Sequence, residues 1–98
     1  MITMQTLVIY DISEDKKRGK LRSHLLNYGL ARVQYSGLFG DLNHNDRLIL
    51  IKEVGKFISS EEDSIYVVPL CDRCVRLCRI ISNSGITEIR EKNVEFVP

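Results

Sequence analysis

One carboxylate and two clusters of cations carry the chemistry readable in this chain. Asp11 ends the apolar run Leu7-Val8-Ile9-Tyr10, and Lys16, Lys17, Arg18, Lys20 and Arg22 follow at once. An acid at a strand end, facing a basic helix start, can hold a divalent metal ion against a phosphate. Taken alone, Asp11 reads as an acid that helps turn the chain into a helix, and the cations as a solvated helix face. Arg73, Arg76 and Arg79 recur at every third residue beside Cys71, Cys74 and Cys78. If helical, they form a basic ridge suited to duplex phosphates; otherwise they are one more solvated face. The Cys71-x-x-Cys74 pair invites a zinc or redox reading, but a closed zinc site needs four ligands, which would crowd together here or cross a dimer. Neither is expected. His24 and His44 are isolated and read as plain surface residues. No histidine or glutamate stands where a general base is needed, so a metal would have to supply the activated water.

The elements that position these residues must come from a single small domain of 98 residues. Its apolar fraction of 44% is ordinary for a packed core. A domain of this size buries only about 60–70% of its unfolded surface, so dimerisation would help stabilise it. The formal net charge is +1. No overall field therefore argues for nucleic acid, and any basic footprint must be local. The acids Glu61, Glu62 and Asp63 fall away from the early basic cluster. No secretion signal or bilayer-length apolar run is evident, and three cysteines without an export signal fit a reducing cytoplasm.

Thr6 to Asp11 reads as an interior strand. Ser13 is the expected cap of a helix with Glu14 and Asp15 in its first turn; Leu21, Leu25 and Tyr28 form its buried stripe beside Leu26, and Gly29 stops it. Ala31 to Ser36 alternates, with Ala31, Val33 and Tyr35 on one face and Arg32, Gln34 and Ser36 on the other. Gly37 breaks the pattern, splitting the stretch from a second strand through Leu38 and Phe39. Asn43 or Asn45 caps a second helix whose predicted stripe is Leu48, Ile51, Val54 and Ile58. Ser59 to Ser64 is a loop. Ile65 to Leu70 is a strand with an edge at Pro69, and Cys71 to Cys78 a short helical turn. A strand over Arg79 to Ser82 and a turn at Asn83-Ser84-Gly85 follow. The predicted core domain is 1–85, and 86–98 a polar tail ending in a short strand, Val94 to Val97, that needs an edge to pair with. This is an α+β pattern of two layers, helices on one face of a sheet.

In order and spacing, the stretches YDISEDKKRGKL, GLARVQYSGLFGDL and YVVPLCDRC resemble the small, second-type CRISPR-associated endonucleases. These are homodimeric proteins that act beside the CRISPR integrase in spacer acquisition. The resemblance runs from about Gln5 to Ile81, and its specific pieces are Tyr10-Asp11, Arg18 and the Arg-x-Gln-x-Ser pattern from Arg32 to Ser36. It implies a ferredoxin-like two-layer sandwich, an antiparallel sheet of four strands backed by two helices, and a homodimer in which the C-terminal strand is exchanged. It also implies that Asp11 binds Mg2+ (or Mn2+) as metal ligand, with Tyr10, Arg18, Arg32 and Ser36 beside the site. The chain departs from the family at Ser36-Gly37-Leu38, where Ser-Val-Phe is common, and at Lys20, where arginine is frequent. Lysine lacks the fork that grips a phosphate through two bonds.

Three functions are open on these residues. The first is a magnesium-dependent endonuclease cutting RNA or DNA phosphodiesters at a dimer-interface site, with a two-fold axis pairing Asp11 with its copy and Arg18 and Arg32 clamping phosphates. The second is a non-catalytic adaptor that holds duplex DNA on Lys16, Lys17, Arg18, Lys20, Arg22, Arg32, Ser36, Arg73, Arg76 and Arg79 while docking the integrase. The third is a ferredoxin-like dimer that binds a small regulatory ligand, which the glycine-poor loops disfavour. A cytoplasmic homodimer is expected, with no membrane partner.

Overall fold

The structure, a computed structural model, describes residues 3–89. Strand β1 spans Thr3–Asp11, starting earlier than the apolar run alone predicts. It pairs antiparallel with β3 (Gly37–Asn43) and with β4 (Ser64–Leu70), so it is an interior strand. β2 (Ala31–Gln34) adds to the far side of β3, giving the order β2-β3-β1-β4. With α1 (Asp15–Asn27) after β1 and α2 (His44–Val54) after β3, this is the ferredoxin-like arrangement expected. β4 is an edge strand, which accommodates Pro69.

Strand alternation divides β1 between two layers. Thr6, Val8 and Tyr10 are buried beneath the helices, where Val8 and Tyr10 pack with Leu21 and Leu25 of α1, Leu38 and Leu42 of β3 and Leu50 and Val54 of α2. Leu7, Ile9 and Asp11 point the other way. Opposite residues of a ladder share a face, so Phe39 and Val68 join Leu7, Tyr66 joins Ile9, and Ser64 joins Asp11. Gly29 ends α1 with φ 86°, and its amide donates to Leu26 O at 3.0 Å. The chain then passes so close to β3 that a Cβ on Gly40 would lie 3.2 Å from Gly29 O.

Several details differ from the sequence reading. Ser13 does not cap α1; Glu14 holds the cap position without a side-chain bond, because Ser13 is engaged by Asp63. Asn43, not Asn45, caps α2, accepting from the Asp46 amide at 2.8 Å. The buried stripe of this region is Leu50, Val54 and Phe57, the last on a 3-10 turn at Gly55–Phe57. Leu48, Ile51 and Ile58 are 40–48% exposed. The run Leu48-Ile49-Leu50-Ile51 fits two helical phases equally, and packing onto the sheet selects the other one. β2 ends at Gln34, and Tyr35-Ser36 form the turn into β3, with the register irregularity between Arg32 and Gln34.

The open face of the sheet carries a partial second layer. α3 (Asp72–Leu77) leads to a hairpin of β5 (Arg79–Ser82) and β6 (Gly85–Glu88), so residues 86–88, read as polar tail, belong to a strand. The hairpin crosses residue 85, where the sequence ends the core domain. Val75 is fully buried with Phe39 and Ile89, flanked by Leu7, Val33, Leu70 and Ile80. The predicted strand at 94–97 lies outside the described residues. No helix among the described residues is long and apolar enough to cross a membrane.

Candidate functional site

Asp11 sits at the last position of β1, exposed on the open face and opposite Ser64. No hydrogen bond or ion pair engages its carboxylate among the described residues. Two nearby acids, Asp15 and Asp63, are occupied. Asp15 pairs with Arg18. Asp63 accepts from the Ser13 amide and hydroxyl, both at 2.9 Å, and from the amides of Ser59 at 3.0 Å and Ser60 at 3.1 Å. These donors, the Ser59 and Ser13 amides first, hold the Asp63 carboxyl well below the usual carboxylate range. The acid that the sequence reading set apart from the basic cluster thus latches the β1–α1 connection to the loop before β4.

The cations expected around Asp11 divide into two groups, with Arg22 in neither. Arg18 folds back along the connection, donating to Ile12 O at 2.8 Å and pairing with Asp15. Asp15 raises its pKa first, and the Tyr35 phenol adds to the effect, so Arg18 and the hairpin turn are neighbours. Arg32 donates to Tyr35 O at 3.2 Å, and its guanidinium lies 5.5 Å from the centre of the Tyr35 ring. Lys16, Lys17 and Lys20 instead line an open groove of about 750 Å³ with His24, Lys56 and Phe57. Arg22 is half-buried on α1 and does not line that groove.

Tyr10 is 1% exposed. Its hydroxyl donates to Tyr35 O at 3.2 Å and its amide to Ser36 O at 3.0 Å, so it fixes the turn from below. Its hydroxyl does not reach the surface. Ser36 contributes through its carbonyl. The hub of the arrangement is Tyr35, 65% exposed, on which Tyr10, Arg18 and Arg32 converge. The sequence showed it only as one member of an alternating strand. The tyrosine between Arg32 and Ser36, two residues before the glycine that breaks the strand, is the signal available.

Arg73, Arg76 and Arg79 are not brought to this site. α3 follows the end of β4 that pairs with Gln5, the opposite end of β1 from Asp11. The helix stops at Leu77, so the three do not form one helical ridge. Arg76 pairs with Asp72 at 3.2 Å, and Arg79 donates to Arg76 O at 2.7 Å. His24 is also not isolated. Its Nε2 lies 2.9 Å from Glu53 Oε1, which accepts from the Tyr28 hydroxyl at 2.7 Å. Burial and then that bond push the Tyr28 phenol up to about 12, while Tyr28 first and His24 next lower Glu53. This trio ties α1 to α2. His44 bonds Arg47 on the surface of α2.

Comparison with known proteins decides what this geometry belongs to. Residues 4–77 match the profile of the family described as CRISPR associated protein Cas2. The chain belongs to the Cas2 family. It is 49% identical over 94 residues to a protein of Archaeoglobus fulgidus named CRISPR-associated endoribonuclease Cas2 1, covering 96% of this chain and all of that one. A protein of Desulforudis audaxviator, named CRISPR-associated endoribonuclease Cas2, is 43% identical over 82 residues, covering 84% of this chain and 77% of its own. The crystal structure of a hypothetical protein, TT1823 from Thermus thermophilus, superposes with a TM-score of 0.68 at 22% identity, covering 88% of this chain and 96% of its own. That likeness confirms the fold. For the Cas2 family, the Tyr10-Asp11 strand end, Arg18 and the Arg32–Ser36 hairpin were the legible pieces, and here they lie at one end of one sheet.

Proposed function

We propose that the protein is a magnesium-dependent endoribonuclease of CRISPR adaptation, cutting RNA phosphodiesters at a site completed by a second copy of the chain. The observation that carries this reading is the state of Asp11: an exposed carboxylate without a partner among the described residues, on a strand end where Arg18 and Arg32 are both held against one turn. Two relatives named as endoribonucleases support RNA as substrate. Magnesium keeps several waters and takes one or two carboxylates, with substrate phosphates completing its shell. No group of three metal-ligating side chains occurs among the described residues. The single Asp11 fits that frugal demand, and its copy across a two-fold axis would supply the second carboxylate. The exposed apolar residues beside it, Ile9 at 37% and Tyr66 at 63%, suit burial against such a copy.

Asp11 would hold the ion, which when bound would activate a water and offset charge building on the phosphate. The chain's own residues do the rest. Arg18, held by Ile12 O, and Arg32, held by Tyr35 O, would offer cationic donors to the phosphates of the bound RNA. Tyr10 holds the turn that aims Arg32. Asp63 fixes Ser13, two residues past Asp11, and so the course of the chain that carries Asp11 into α1.

One observation also favours the adaptor reading. The groove of Lys16, Lys17, Lys20 and Lys56 is lined by none of Asp11, Arg18 and Arg32, and meets the Asp11 end only at Asp15, the partner of Arg18. It could grip duplex DNA beside the CRISPR integrase without any chemistry at Asp11, and manganese would serve as well as magnesium for the ion. One experiment separates the readings. Labelled single-stranded RNA and duplex DNA are incubated with wild type and Asp11→Ala in magnesium, manganese or EDTA, and binding is read by gel shift from the same samples. The nuclease reading expects a loss of RNA cleavage exceeding about 100-fold in the variant, since even groups that only orient a metal ligand cost about 10–100-fold. Binding should stay intact. Cleavage equal in both proteins, or insensitive to EDTA, would refute it.

A further inference from the structure

Cys71, Cys74 and Cys78 take no part in the chemistry at Asp11, and the structure gathers them on one short stretch. Cys71 holds the position before α3, with φ −72° and ψ 162°, and its carbonyl accepts from the Val75 amide at 3.0 Å. That bond closes one turn over Cys71 and Cys74. The next turn closes over Cys74 and Cys78, whose amide donates to Cys74 O at 3.1 Å. Cys71 and Cys74 are free and exposed, and Cys78 is half-buried against the Phe39–Val75–Ile89 layer. Side chains three apart on a helical turn have Cβ atoms about 5–6 Å apart. A disulfide needs about 4 Å between them, a small movement for the first turn of a six-residue helix.

We propose that Cys71 and Cys74 form a redox-active dithiol that exchanges with low-molecular-weight disulfides, Cys71 attacking and Cys74 resolving. In the first step the Cys71 thiolate bonds to one sulfur of the small disulfide, whose S–S bond breaks, and the first small thiolate leaves and takes up a proton. In the second the Cys74 sulfur, having given up its proton, bonds to Cys71 Sγ and displaces the second small thiolate, which is protonated in turn. Two electrons pass from the cysteine pair to the small disulfide, and the two thiol protons of the pair are balanced by those on the two released thiols. The division of roles follows the surroundings. The Cys74 amide, then the Cys74 thiol, favour the Cys71 thiolate, whereas Cys71 raises Cys74. Cys78 packs against the second layer and is the poorer partner for an attacking reagent.

The test equilibrates the full chain with glutathione buffers from fully reduced to fully oxidised. Thiols are then trapped by alkylation and assigned by peptide mass. Two thiols should become protected together at one buffer ratio, mapping to a Cys71–Cys74 bond, with the same ratio in Cys78→Ser. Cys71 should alkylate severalfold faster than Cys74 or Cys78 in the reduced chain, and Cys74→Ser should accumulate glutathione on Cys71. Serine suits the cap position, so Cys71→Ser keeps its fold by circular dichroism while no longer forming the paired intramolecular bond at that buffer ratio. Equal alkylation of all three thiols at every ratio would overturn the proposal. So would a bond to Cys78, bonds only between chains, or purified protein whose thiols are blocked by tightly held zinc.

Discussion

At one end of β1, Asp11 stands exposed on the open face while Arg18 and Arg32 are held against the turn at Tyr35; at the other, Gln5 meets Leu70 and the chain turns into the cysteines of α3. Both ends carry arginines, yet they are built for different chemistry. At the Asp11 end Asp15 pairs with Arg18, Asp63 accepts from Ser13, the Asp11 carboxylate has no partner among the described residues, and Arg18 and Arg32 each donate to a carbonyl oxygen. At the α3 end Arg76 is offset by Asp72, Arg79 folds onto its own main chain, and the remaining reactive groups are thiols. Hard oxygen ligands suit magnesium and phosphate, while soft sulfur suits exchange with other sulfur. A count of cations would have ranked the two ends alike. What separates them is the group left beside the cations: a carboxylate without a partner among the described residues at one end, thiols at the other.

The supporting layers differ as well, and this gives the largest expected effect. Under α1 and α2 the buried cluster runs from Val8 through Phe57, whereas the layer beneath α3 is Phe39, Val75 and Ile89 among the described residues. Leu25→Ala should cost about 2–5 kcal/mol in chemical denaturation, because the surrounding helices and sheet cannot collapse into the space. Val75→Ala, removing two carbons at about 0.8 kcal/mol each, should cost about 1.5 kcal/mol. Equal losses would mean that α3 and its hairpin are as integral to the fold as the two helices.

Next in size is the contrast between arginines. Arg18→Ala should lower RNA cleavage by roughly 100-fold, the scale for losing one donor to developing charge. It should also flatten the salt dependence of binding by about one unit of slope, as expected for one lost phosphate contact. Arg76→Ala should leave both near wild type. If the two variants behaved alike, the basic surface would be continuous from one end of the sheet to the other and the adaptor reading would gain.

The sequence made the Asp11 end legible because its signals are local. An apolar run ending in an acid, a cationic helix start and a glycine that splits two strands each resolve within a few residues. The failures come from groups whose partners are distant in sequence. Ser13 reads as a helix cap until Asp63 takes both its amide and its hydroxyl. His24 reads as isolated until α2 brings Glu53 to it. The phase of α2 was undecidable within four consecutive apolar residues, and β6 was too short and too polar to register before its pairing with β5 is known. Tyr35 is the instructive case: its alternation was seen, but its place as the common contact of Tyr10, Arg18 and Arg32 exists only once the hairpin closes.

The smallest expected effect is set by pH and concerns the latch at Asp63. In the folded chain the amides of Ser59 and Ser13 favour the ionised carboxylate, so its pKa is depressed below the unfolded value of about 3.9. A group depressed on folding stabilises the fold above its unfolded pKa and loses that contribution as the pH falls toward the folded one. The latch is therefore fully present at neutral pH and weakens below about pH 4. Asparagine at this position keeps the shape but cannot ionise. The melting temperature of Asp63→Asn should start lower than wild type at neutral pH, and the gap should narrow as both are taken into acid. Because the latch holds Ser13, two residues past Asp11, cleavage at neutral pH should fall modestly in the same variant while thiol exchange at Cys71 is untouched. A gap that stayed constant with pH would mean that ionisation of Asp63 does not hold the Asp11 end in place.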